Sequence, residues 1–128
     1  MTTVVNVADV LDGLEPFEGR RPDTPEDQIS PAFATLFNYR DGGVFTGSYT
    51  GDSAWERHTS GDEIVYVLEG RTSIFLRTEA GEERWDLSKS DMIVVPQGIW
   101  HRFEAPDGVT VMSITPQPTD HSAADIPD

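Results

Sequence analysis

The chain contains no cysteine. Disulfides, thiolate metal sites and cysteine nucleophiles are therefore excluded. Cations are scarce as well: nine Lys and Arg stand against 23 Asp and Glu, for a formal net charge of −14. A protein that grips nucleic acid needs cations facing phosphates, so no nucleic-acid partner is expected. Docking on an anionic membrane is disfavoured for the same reason. The acidity itself implies solubility and self-repulsion, and it names no partner. No apolar run approaches the roughly 20 residues a membrane helix needs. Residues 1–10 carry neither a basic segment nor a long apolar stretch, so no signal peptide is expected and a cytoplasmic protein is the default. The G-x-S-x-G pattern of serine hydrolases is missing, and Gly42-Gly43 marks a turn with no phosphate-loop pattern around it.

What is present fits one domain: 128 residues, rich in turn formers, with 11 Gly and 9 Pro. Apolar residues at Val4, Val7, Val10, Leu11 and Leu14 predict one short amphipathic helix, weakened at its end by Gly13. Residues 15–28 hold three prolines and many charges, and predict an extended arm or loop. Within it Arg20-Arg21 is expected to be a solvated basic pair rather than an anion site. From residue 32 the pattern changes to short β runs separated by Gly, Pro and Asp turns. The runs are 34–40, 44–50, 55–58, 63–69, 72–78, 83–87, 92–95, 100–104 and 109–115. Such spacing indicates an all-β sandwich or barrel. The expected organisation is an N-terminal arm over 1–31, a barrel over 32–116 and an acidic flexible tail over 117–128, with His121 exposed in that tail.

The chemistry-bearing residues cluster by face. Side chains at i and i+2 of a strand point the same way, which puts Glu56 and His58 together. Glu63 opens the next strand after the Ser60-Gly61 turn, and His101 follows the rigid turn Pro96-Gln97-Gly98. Two imidazoles and one carboxylate form the donor set of non-haem iron sites, and also suit zinc or manganese. The candidate metal ligands are therefore Glu56, His58, Glu63 and His101. Asp62 is the alternative carboxylate to Glu63. Glu56 and Glu63 are also the candidate catalytic groups for proton transfer, and Glu56 has a further alternative as partner of Arg57 or another cation. Phe103 shares the His101 face and is expected to line a pocket, together with Met112 and Ile114. Trp55 and Trp100 are expected on the opposite face.

The spacing His58, four residues, Glu63, six residues, Gly70, followed later by Pro96-x-Gly98-x-x-His101, resembles the two motifs of the cupin superfamily over roughly residues 34–115. That resemblance implies a double-stranded β-helix, or jelly-roll barrel, in a small single-domain cupin. It further implies one divalent metal (Fe, Zn or Mn), a small-molecule substrate or ligand, and a homodimer paired through the arm or an edge strand. The chain departs from the family pattern at four positions. Glu56 stands where the family has its first histidine, Gly51 lies one place late, Ser90 replaces a glycine and Ala105 replaces an asparagine. With Glu56 and Glu63 both ionised, a divalent ion would be neutralised and its Lewis acidity reduced. The implied activity is a dioxygenase or an isomerase, cyclase or lyase. The alternative is a non-catalytic small-ligand-binding or sensor cupin.

Overall fold

The structure, a computed structural model, describes residues 2–124. Asn6 accepts a hydrogen bond from the Asp9 amide and caps a six-residue helix, α1 (Val7–Asp12), which Gly13 ends. The helix is shorter than its apolar spacing predicts because the cap lies inside the periodic stretch. The arm that follows is not simply a loop. It holds a strand, β1 (Phe17–Arg20), and a single helical turn, α2 (Glu26–Ile29), continued by a 3-10 turn at Ser30–Ala32. β1 pairs in parallel with the third strand, Phe17 opposite Tyr49 and Arg20 opposite Gly51. A four-residue strand among prolines has little local signal, and its pairing partner lies some 30 residues away in sequence.

The remaining strands are β2 (Phe33–Tyr39), β3 (Gly42–Asp52), β4 (Trp55–His58), β5 (Glu63–Thr78), β6 (Gly81–Ser88), β7 (Met92–Val95), β8 (Trp100–Pro116) and β9 (Thr119–Ser122). They form one sheet folded over itself as a jelly roll. β8 pairs with β3, β4 and β5, while β5 carries β6 and β7 on its free side. Two pairs of predicted strands are in fact single long strands. Residues 63–69 and 72–78 are joined in β5, and 100–104 and 109–115 in β8. Gly70 and Gly108, both in the left-handed region at φ +75° and +98°, bend these strands without ending them. They also touch: a Cβ on Gly70 would overlap the Gly108 carbonyl. The predicted flexible tail is corrected in the same way, because Thr119–Ser122 pairs with β4 and puts His121 opposite Glu56. Residues 125–128 of that tail lie outside the described residues.

The core fills the inward positions of these strands: Val65, Val67 and Ile74 from β5, Ala105, Val109 and Val111 from β8, and Tyr49, Leu87 and Val95 around them. Cross-strand partners share a face, and Val67 opposite Val111 and Ile74 opposite Phe103 fix which face is inside. The other face carries Met112 and Ile114, opposite Tyr66 and Ile64. Those two side chains were expected in the pocket, and the structure corrects this. From His101 the inward residues run 101, 103, 105, then 109, 111, 113 and 115. The bend at Gly108 spans an even step and preserves the alternation, so Met112 and Ile114 face outward.

Candidate metal centre

The inward alternation brings three donors together at the mouth of the barrel. His58 ends β4, Glu63 begins β5 and His101 stands near the start of β8. One ligand atom from each lies within 4.8 Å of the other two. All three side chains are buried, His101 to 1% exposure and His58 to 3%. Glu63 Oε1 lies 3.1 Å from His101 Nε2, and its Oε2 lies 3.3 Å from His58 Nε2. Yet His58 Nε2, His101 Nε2 and Glu63 Oε1 have no hydrogen-bond partner of acceptable geometry among the described residues. Buried polar atoms are ordinarily paired, so three orphans converging on one point are the fit expected of a cation site.

The far side of each ligand is tied down. His101 Nδ1 is 3.0 Å from the Ile99 carbonyl, which can only accept, so Nδ1 carries a proton. The Thr119 hydroxyl gives its one proton to Gln117 Oε1 at 3.1 Å. Toward His58 Nδ1, 3.0 Å away, Thr119 therefore accepts, and that nitrogen is protonated too. In each neutral ring the lone pair then falls on Nε2, facing the site. Thr115 donates to Glu63 Oε2 at 2.7 Å and is itself 2.9 Å from the Ser113 hydroxyl. Such outer contacts fix tautomer and orientation in metal sites. Phe103 stands edge-on to His101, with centroids 5.9 Å apart.

Charge in the cluster is strongly coupled. Burial would raise the Glu63 carboxyl, but the His101 and His58 imidazoles outweigh it and hold Glu63 down to about 2. Burial likewise disfavours a charged His101, but the Glu63 carboxylate, helped by Glu56, outweighs it and leaves His101 above its ordinary value. Glu56 is not part of the triad. It lines the same cavity, but its carboxylate sits 3.7 Å from Arg20 Nη2. Its pKa is raised, first by burial and then by the charge of Glu63, against the pull of His101 and Arg20. Asp62 is not in the triad either: it accepts from the Gln97 amide at 2.8 Å and so holds the turn before His101. Arg57, once a candidate partner for Glu56, pairs instead with Asp120 at 2.8 Å and stacks over Trp100.

Sequence reasoning did not find Arg20, Tyr49, Thr119 and His121, which also line this cavity of about 450 Å³. Arg20 was expected in a solvated loop, yet it is 9% exposed. His121 is exposed as expected, but it lies on a paired strand rather than a flexible tail, lining the cavity 3.4 Å from Glu26. Ser113 and Thr115 could have been found by counting in twos from His101. For Arg20, Thr119 and His121 no local signal exists, because each sits on a short strand placed by a distant partner.

A jelly roll with this buried His-Glu-His cluster is the architecture of the metal-binding cupins. Residues 47–115, more than half of the chain, match the cupin domain, and the chain belongs to that family. It is 47% identical over 45 residues to an acireductone dioxygenase of Danio rerio, a stretch that is 33% of this chain and 24% of that protein. The chain thus spans about a quarter of the length of the curated relatives it matches. Among solved structures it is similar to a cupin-2 domain containing protein from Shewanella frigidimarina, with a TM-score of 0.66 and 21% identity over 89% of this chain and 95% of that one. It is also similar to a hydroquinone 1,2-dioxygenase in complex with Cd2+ and 4-hydroxybenzonitrile, with a TM-score of 0.62 and 18% identity over 88% and 72% of the two chains. At these identities the structural likeness speaks for the fold alone.

Proposed function

We propose that this cupin holds one divalent metal on His58, Glu63 and His101 and is a dioxygenase of a small organic molecule. The observation that carries the metal is the convergence of three orphaned donor atoms whose far sides are already hydrogen-bonded. Two neutral imidazoles and one carboxylate suit Fe(II), with Zn or Mn as alternatives. When bound, such an ion supplies Lewis acidity and, for iron, redox chemistry with dioxygen. The preference for oxygenation is supported by the match to acireductone dioxygenase. The chain's own residues have definable tasks. Glu63 anchors charge between the rings. Glu56, in the cavity but outside the triad, is placed to move a proton to or from a bound substrate. Phe103, Val65 and Val111 keep bulk water from the inner wall.

The test is elemental analysis of protein purified without chelators, followed by oxygen-uptake assays on enediol and hydroquinone substrates with Fe(II) loaded. About one equivalent of metal per chain is expected, with uptake lost in Glu63→Gln. A folded protein that binds no divalent ion would sink the metal assignment and favour a ligand-binding cupin. Full metal occupancy with no uptake, but metal-dependent isomerisation, would replace oxygenation by proton transfer.

The homodimer belongs to the same proposal. The outer face of β7, β5 and β8 aligns Val94, Ile64 and Ile114 in one row, and Met92, Tyr66 and Met112 in the next. Met92 is 61% and Val94 54% exposed, and a charge-free apolar face on a chain of −14 is where two copies meet with least repulsion.

A further inference from the structure

The cavity has a second polar wall that the metal proposal leaves unused. Arg20 enters from the end of β1, where its backbone packs against Gly51 so closely that any Cβ there would overlap it. Gly51, out of place for the family motif, is thus where β1 needs it. The Arg20 guanidinium lies over the Tyr49 ring, 4.7 Å from its centroid. The facing carboxylate, Glu56, is 3.7 Å from one Nη, beyond hydrogen-bonding distance. Among the described residues Nε of the guanidinium is buried without any partner.

Burying a charge is costly unless it is paired and hydrogen-bonded. If Arg20 served only to tie β1 to β4, the pair with Glu56 would be expected to close and fill the N–H groups. Instead Glu56 offsets the charge from a distance and leaves Nε unpaired. The cavity that holds Arg20 and the triad is also lined by the apolar Phe33, Phe45, Val65, Phe103 and Val111. A guanidinium fork matches the two oxygens of a carboxylate, remains charged at any working pH, and pairs with it bidentately. The volume of about 450 Å³ lies within the usual range for a small-molecule site.

We propose that Arg20 is the specificity-determining anchor of the cavity, and that it binds the carboxylate of a small acid with an apolar body whose other end faces His58, Glu63 and His101. That this acid is a substrate rests on the metal-enzyme reading; that the cavity selects a carboxylate does not.

The experiment uses the full chain, stripped of metal, titrated by calorimetry or NMR with benzoate and with benzamide, which has the same ring and no charge. Benzoate is expected to bind about tenfold or more tightly than benzamide, the worth of a charge-assisted hydrogen bond. Arg20→Met keeps the stem over Tyr49 and should erase that preference, while Arg20→Lys should retain part of it. Benzoate that fails to bind in the millimolar range, equal binding of both ligands, or a preference that survives Arg20→Met would overturn the proposal. Should Arg20→Met misfold, Glu56→Gln provides the second arm. Removing the competing carboxylate should tighten benzoate severalfold and leave benzamide unchanged, and an unchanged benzoate affinity overturns the proposal. Metal titration of the same samples separates the two readings. Benzoate selectivity without metal binding leaves the anchor standing and removes the metal centre, whereas metal binding without selectivity does the reverse.

Discussion

The two ends of the barrel are built from the same two strands and answer opposite demands. β5 and β8 both start at the mouth, bend at Gly70 and Gly108, and return. At the bend their inward residues are Val67, Ala105 and Val109, all 3% exposed or less. At the mouth they are Glu63, His101 and Thr115, also buried but polar. The base buries apolar surface, which stabilises the fold. The mouth buries donors whose inner atoms lack partners, which costs stability until something fills them. One inward register therefore supplies both stability and function, and the two ends should be separable by mutation.

The largest separation should come from the base. Ile74 is fully buried, and Ile74→Ala should cost roughly 2–5 kcal/mol in urea denaturation of the metal-free protein. Metal stoichiometry should survive at temperatures where the variant is still folded. A stability loss near zero would mean that the bent strands do not carry the core. At the mouth, His101→Ala should behave in the opposite way. A metal at a hundred times its dissociation constant adds about 2.7 kcal/mol to a protein that binds it only when folded. The native chain should show that gain in thermal melts with Fe(II) or Zn(II), and His101→Ala should show none. A gain that persists in the variant would place the ion elsewhere.

How much of this was legible in the sequence follows the same division. Alternation and turn residues marked the strands, and Trp55–His58 and Met92–Val95 match residue for residue. The spacing from His58 to Glu63, and the turn before His101, identified the triad, because those residues are fixed by short-range geometry. Strand continuity through Gly70 and Gly108 was not legible. A glycine at positive φ looks like a terminator until its partner strand bends with it. β1 and β9 were hidden for a related reason. Each has only four residues, among prolines or acids, and exists because β3 or β4 offers an edge. Met112 and Ile114 each lie an odd number of residues from His101, so strand parity alone places them on the opposite face.

β9 gives a finer way to sharpen the contrast, because it is held from both faces. On the inside, Thr119 orients His58 through Nδ1. Thr119→Val keeps the shape and removes the acceptor, so metal affinity should fall by about 10- to 100-fold, as for other outer contacts of metal ligands. Metal-free stability should change little by comparison. Competition with a chromogenic chelator would measure the affinity, and an unchanged value would mean that β4 alone orients the ring.

On the outside, Arg57 clamps β9 to β4 by pairing with Asp120 and stacking on Trp100. Both charged groups are more than a third exposed, so solvent screens the pair and Arg57→Gln should cost under about 1 kcal/mol. The consequence for metal should be smaller than that of Thr119→Val, although both variants act on the same short strand. The register Trp55–Ser122 to His58–Thr119 remains available to hold the backbone, and Thr119 keeps its hydroxyl. If Arg57→Gln weakened metal binding as much as Thr119→Val, the mouth would depend on the docking of β9 as a whole. If it does not, His58 is oriented by one hydroxyl, and the function of this end of the barrel reduces to a few inward-facing oxygens on a scaffold that the base holds in place.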